Sequence, residues 1–256
     1  MSNGLTAVVH VHSSYSHDGR DSLEDLREFG LAHGIQLIGM TDHAEDFEPA
    51  QYPAYLEHCR SVSDERIRIV PGLEFRFKGH PGLHLLALGL TCWIEPAHPG
   101  EFIEQTKGHS AFTIVAHPVL SRYRLPDEVE AGIDAIEVWN ASYNTRYLPD
   151  PEAISLLHRV RSHRPEVVGI AGLDQHDSRN YRETRLTLLP DDMANPLASL
   201  RAGRFINHGH TMSFDAAVSW GPLRLGALKV ARWGYDRLES LQDRTSRWMQ
   251  RRRRGE

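Results

Sequence analysis

Apolar residues along this chain fall into short runs separated by polar, helix-patterned stretches. The runs Ala7–Val11, Leu37–Met40, Ile67–Val70, Leu85–Leu88, Thr113–Ala116, Ala135–Val138 and Val167–Ile170 have the length and composition of buried strands. Between the first two, Ser22-Leu-Glu-Asp25 has the form of a capping box, Leu23, Leu26 and Phe29-Gly30 recur at helical spacing, and Gly34 supplies a stop. Similar helices are expected at Pro53–Asp64, Glu101–His109, Pro126–Ala131 and Pro151–His163. Strands alternating with helices predict an α/β fold built on seven parallel strands. Beyond Arg179 the pattern weakens: Arg185–Leu189 reads as a further strand, Met193–Ala202 as a helix, and Phe205–Asp215 as a loop containing Gly and His.

At 256 residues, with no internal repeat or low-complexity linker, the expectation is one domain over residues 1–256, with residues 235–256 a C-terminal helix and basic tail. Hydrophobic and charged contents of 40% and 25% are ordinary for a globular chain and exclude a disordered class. A formal charge of −5 argues against wholesale nucleic-acid binding, so Arg251-Arg-Arg-Arg254 reads first as a solvated helix end. Cys59 and Cys92 lack metal-site or disulfide spacing, and both read as packing residues. No charged-then-apolar leader occurs, nor any run of about 18 apolar residues, so a soluble, cytoplasmic protein without membrane contact is expected.

Residues able to bind metal stand at the ends of the strand-like runs: His10-Val-His12, Asp42-His43, Glu74, His84, His117 and Asp174-Gln-His176. In a strand, residues two apart share a face, so His10 and His12 are expected to point together, as are Asp174 and His176. Adjacent buried imidazoles leave nitrogens away from water at about 1–3 kcal/mol each unless something binds them, and a metal ion does so. Imidazole and carboxylate donors without thiolates suit zinc, manganese or iron. His33, His58, His158 and His163 fall within helices and read as ordinary surface histidines. Ser13, Ser14 and Ser16 lack a GxSxG setting and read as hydrogen-bond partners. Asp42 and Asp177 are expected to orient ligands or water, and Glu137 and Asn140 to face or support the pocket.

Taken in order, His10-Val-His12-Ser-Ser-Tyr-Ser-His17-Asp18-Gly19, Thr41-Asp-His43, Gly72-Leu-Glu74, Ala116-His117-Pro118 and Gly172-Leu-Asp174-Gln-His176 resemble the motifs of the PHP (polymerase and histidinol phosphatase) family over about residues 7 to 180. The resemblance implies a distorted (β/α)7 TIM-like barrel with its metal site at the C-terminal ends of the strands. It implies two or three divalent metal ions and phosphoester hydrolysis by metal-bound hydroxide, with no protein nucleophile. His10, His12, Glu74 and Asp174 would hold one metal, Glu74 bridging to a second completed by His84 and His117. His43 and His176 would hold a third with Asp18, for which the adjacent His17 is the alternative.

Arg122, after His117-Pro118, and Arg179, after the Asp174/His176 motif, are placed to bind phosphate, and His208 or His210 could donate a proton to the leaving group. A small phosphomonoester is the expected substrate. The alternatives are a single-strand exonuclease or phosphodiesterase, a hydrolase acting at carbon, and a non-catalytic metal-binding regulatory protein. The oligomeric state is left open.

Overall fold

In the computed structural model, which describes residues 4–189 and 195–254 and side chains as far as Leu238, the first apolar run forms β1 (Leu5–Val11) and the second β2 (Leu37–Met40). Between them α1 (Leu23–Ala32) starts at a reciprocal cap: Ser22 Oγ accepts from the Asp25 amide at 3.1 Å, and the Asp25 carboxylate accepts from the Ser22 amide at 3.0 Å. Donors that a helix start leaves open are thereby satisfied. Leu23, Leu26, Phe29 and Gly30 form its buried face, and the chain leaves the helix at Gly34, whose φ of 67° strains any residue bearing a β-carbon.

The chain continues as β3 (Asp42–His43), α2 (Tyr52–Val62), β4 (Arg68–Val70), β5 (Gly72–Arg76), β6 (His84–Leu88), α3 (Pro99–Gly108) and β7 (Phe112–Ala116). Then follow α4 (Asp127–Gly132), β8 (Ala135–Asn140), α5 (Pro151–Arg161), β9 (Val168–Gly172), β10 (Arg185–Leu188), α6 (Pro196–Arg201), β11 (Phe205–His208), β12 (Ser213–Asp215) and α7 (Pro222–Arg254). Every residue of β2, β7, β8 and β9 is buried, as continuous apolar strands covered on both faces require.

The fold is α/β with two mixed six-stranded sheets, ordered β12-β11-β10-β1-β2-β4 and β3-β5-β6-β7-β8-β9. Hydrogen bonds join β1 to the end of β9: the Leu173 amide donates to Val9 O at 3.0 Å, and the His12 amide to Gln175 O at 2.9 Å.

Seven parallel strands is not the arrangement found. β6 lies antiparallel to both β5 and β7, because the turn between β5 and β6 is too short for a parallel crossover, which needs a dozen residues or more. Gly79 and Gly82, at φ 86° and 80°, make that turn. His84 therefore opens its strand instead of closing it, and still reaches the end of the sheet where the other candidate ligands gather. Glu74 lies within its own strand, β5, split from β4 by Pro71.

The expected loop at 205–215 is the hairpin β11–β12, whose first strand pairs antiparallel with β10. Asn207 faces inward there, accepting from the Ala171 amide at 2.7 Å and donating to Gly169 O at 3.0 Å. The helix expected over Met193–Ala202 is α6, with Met193 and Ala194 outside the described residues.

The chain divides into a body, Met1–Val218, and a second unit, Ser219–Glu256. In the second unit α7 starts well before the expected Tyr235, and the Arg224 and Arg237 guanidiniums lie over the rings of Trp220 and Trp233. No helix among the described residues is long and apolar enough to cross a membrane.

Candidate metal centre

Three of the expected ligands adopt left-handed backbone conformations: His10 with φ 64°, His117 with φ 24° and Asp174 with φ 52°. Such conformations cost non-glycine residues about 1–3 kcal/mol each and concentrate at functional sites. At His10 the pairing of β1 with β2 slips between Val9 and Val11. The rings of His10 and His12 do converge, with centroids 5.3 Å apart. They do so through this kink, with His12 already beyond β1, and not through the regular strand alternation expected from their spacing.

Glu74, 1% exposed, sits at the middle of the cluster. Its Oε1 lies 2.6 Å from His84 Nδ1 and 3.4 Å from His117 Nε2, while its Oε2 lies 3.2 Å from His43 Nδ1, 3.4 Å from His12 Nε2 and 3.7 Å from His10 Nε2. Asp174 Oδ1 approaches His10 Nε2 at 3.3 Å and His12 Nε2 at 3.4 Å. Asp18 bridges His43 and His176, 3.3 Å from Nε2 of each.

Among the described residues, donor atoms lie within 4.8 Å of one another in three groups: His10, Glu74 and His117; His10, His12 and Asp174; and His12, Asp18, His43 and His176. These groups could hold metal ions. The buried Nε2 atoms of His10 and His12, both aimed at the carboxylates, have no hydrogen-bond partner of acceptable geometry among the described residues. A ring nitrogen left this way in an interior is costly, and a bound cation, taking the place of any proton there, would satisfy it.

Electrostatics fit the same use. Burial opposes charge on His10, yet Glu137 and Asp174 outweigh it and raise its pKa well above the imidazole range. Burial likewise opposes charge on Glu74, but the surrounding histidines, His10 foremost, hold its carboxyl well below the usual range. Asp174 is lowered despite its burial, again through His10 and His12. Burial raises the cost of charging His43, but Glu74 more than compensates and its pKa rises. His176 is lowered by burial and by His12.

Outside these groups, Glu137 Oε1 accepts from His10 Nδ1 at 2.7 Å, and its Oε2 accepts from the His117 amide at 2.6 Å and from Asn140 Nδ2 at 2.8 Å. Gly172 makes room for this: a β-carbon there would stand 1.9 Å from Glu137 Oε1. Asp42 does not join a ligand group. It accepts from the Ser13 amide at 2.6 Å, Ser16 Oγ at 2.9 Å and Tyr55 OH at 3.0 Å. Ser16 Oγ in turn accepts from the His43 amide at 2.9 Å and lies 3.4 Å from His12 Nδ1. Ser14 is exposed.

His17 is brought to Asp46, with Nδ1 2.8 Å from its carboxylate, and its side chain is 58% exposed. Arg179 lines a cleft of about 570 Å³ beside Asp174 and His176, together with Arg146 and Arg182, but its guanidinium is held by Asp177 at 2.9 and 2.6 Å. Arg122 lines a second cleft, of about 880 Å³ beside His84, with His80 and Arg124. His210 is not brought to the ligands. Its Nδ1 lies 3.1 Å from Glu183, and His208 meets Ser213 at 2.7 Å.

Two groups beside the site were not singled out in the sequence. Tyr143 stacks obliquely near His117, with centroids 4.6 Å apart. Arg76, on β5, reaches the His43 ring; its only sequence signal is its place two residues beyond Glu74.

No curated protein matches the chain. Among solved structures, it is similar to an amidohydrolase from Chromobacterium violaceum with bound SO4 and no metal, at 16% identity over 66% of this chain and 87% of that chain, with a TM-score of 0.42. The model of the PHP domain matches residues 9–189, a span that contains every residue of the three ligand groups and more than half of the sequence, and the chain therefore belongs to the PHP domain family.

Proposed function

We propose that this protein hydrolyses phosphoesters, with a small phosphomonoester as its substrate. Family membership and the ligand groups support a metal-dependent hydrolase. The observation that carries the phosphoester reading is the double engagement of Glu74: Oε1 faces His84 and His117, while Oε2 faces His43, His12 and His10. A carboxylate divided in this way suits two neighbouring cations, and two cations about 3.5–4 Å apart form a clamp for phosphoryl oxygens.

In this reading His10, His12, Glu74 and Asp174 would hold one metal, Glu74, His84 and His117 a second, and Asp18, His43 and His176 a third. We also read the two sheets, joined between β1 and β9, as a distorted barrel.

Bound manganese, zinc or iron would supply an activated water and neutralise charge on the phosphoryl group. The chain's own residues do the rest. Glu137 accepts from Nδ1 of His10 and so leaves Nε2 to face inward. Ser16, held by Asp42, seats His12 and His43. Arginines lining the two clefts, Arg122 and Arg179 with Arg124, Arg146 and Arg182, attract an anionic substrate. With His210 engaged by Glu183, the leaving oxygen takes its proton from solvent on the open side, where Asp18 is 40% exposed. The formal charge of −5 disfavours a long polyanion and hence the exonuclease alternative.

The test is phosphate release from p-nitrophenyl phosphate, sugar and nucleotide monophosphates, a bis-ester and a labelled oligonucleotide, with and without manganese or zinc. Metal-dependent turnover that favours monoesters is expected. Preference for the bis-ester or oligonucleotide replaces the monoester, and metal binding without release from any ester leaves the non-catalytic alternative.

A further inference from the structure

We propose that Arg76 grips the phosphoryl oxygens of the substrate at this centre, an inference that rests on the phosphoester reading. Arg76 and Glu74 lie two residues apart on β5, so the strand that delivers the central carboxylate delivers a guanidinium to the same face. Across the sheet Arg76 stands opposite His84. Its Nη2 lies 3.3 Å from Nε2 and 3.5 Å from Nδ1 of His43. Its Nη1 lies 3.3 Å from Glu45, and the side chain is 44% exposed.

These contacts leave the arginine poorly served as a structural residue. A guanidinium only donates, and the single lone pair of a neutral His43 is the one a metal would take. Cations at the centre would also repel a guanidinium placed beside them. Among the described residues, what remains is one ion pair with a half-exposed carboxylate, which contributes little. An anion lying between the metals and Arg76 reverses the balance, because it attracts both. The planar fork matches a phosphoryl group with two parallel hydrogen bonds. Arg179, by contrast, already spends its fork on Asp177.

The experiment uses the full chain, as wild type, Arg76→Ala and Arg76→Lys. Metal content is measured by elemental analysis, affinity for inorganic phosphate by calorimetry on the manganese-loaded protein, and kcat and KM with p-nitrophenyl phosphate. Arg76→Ala is expected to keep its metal while phosphate Kd rises at least about tenfold, the loss expected for charged hydrogen bonds. Arg76→Lys recovers only part of this, because a point charge lacks the fork.

Unchanged phosphate affinity in Arg76→Ala, or loss of metal with normal affinity at the sites still loaded, overturns the assignment and leaves Arg76 as a support for His43. If Arg76→Ala does not fold, Arg76→Lys decides: wild-type affinity overturns the assignment, and weakened affinity at normal metal content upholds it. A wild-type protein that neither binds phosphate nor cleaves any ester overturns the phosphoester reading itself. Wild-type binding matched by Arg76→Ala overturns the role of Arg76 alone.

Discussion

Replacing Glu137 by Gln changes one oxygen to an NH2 group at a carboxylate whose three close partners all donate: His10 Nδ1 at 2.7 Å, the His117 amide at 2.6 Å and Asn140 Nδ2 at 2.8 Å. If the Gln oxygen faces His10, two buried donors lose their acceptor, at about 1–3 kcal/mol each. If it faces His117 and Asn140, both bonds survive, but the NH2 group meets His10, whose Nδ1 must then accept. The proton moves to Nε2, the atom required for metal. The second arrangement is the less costly for the fold, so the damage falls on metal binding, with an expected loss of about 10–100-fold in affinity, or about 1.4–2.7 kcal/mol. Thermal stability of the metal-free protein should change by only a few degrees, at about 2–4 °C per kcal/mol for a chain of this size. Calorimetric titration with manganese or zinc measures the first effect, and nitrogen NMR of the His10 ring, recorded above the raised pH at which the ring becomes neutral, reads the tautomer. Wild-type metal affinity with an unchanged His10 tautomer would refute the role given to Glu137.

Asp18→Asn is expected to lower the number of metals bound per chain, whereas His17→Ala, at a side chain turned to Asp46, leaves it unchanged; elemental analysis of the two variants separates them. Metal affinity should rise with pH. As a metal ligand His10 must be neutral, and its pKa lies well above the usual range of about 6.5, so protons should displace metal as the pH falls through that raised value. A metal Kd that stays flat between about pH 6 and 8 contradicts this. Cys59 is buried, which pushes its thiol up to about 12, so a disulfide reagent should label the half-buried Cys92 in the native protein and Cys59 only after unfolding.

What could be read in the sequence was the material of the fold. Runs such as Thr113–Ala116 and Ala135–Val138 are buried on both sides, so composition alone marks them as strands. Direction was harder. β6 reverses because of a short turn whose signals, Gly79, Pro81 and Gly82, are those of a hairpin. β5 shows clean alternation of Leu73 and Phe75 against Glu74 and Arg76, masked by Pro71 at its edge. The hairpin β11–β12 was hidden by Asn207, a polar residue buried because it bonds the backbone of β9.

In the centre, residue types and order were legible because several imidazoles and carboxylates from distant segments need a shared partner. Backbone geometry was not, since nothing in the letters reveals that His10, His117 and Asp174 take left-handed conformations. The separation of His17 from Asp18 likewise depends on Asp46, a long-range partner invisible to spacing.

Anomalous diffraction from crystals of the wild-type protein grown with saturating manganese or zinc tests the metal centre most directly. Metal peaks are expected on both sides of Glu74, one bonded through Oε1 with His84 and His117, the other through Oε2 with His10 and His12 near Asp174. A centre without metal at Glu74 under those conditions would contradict the assignment.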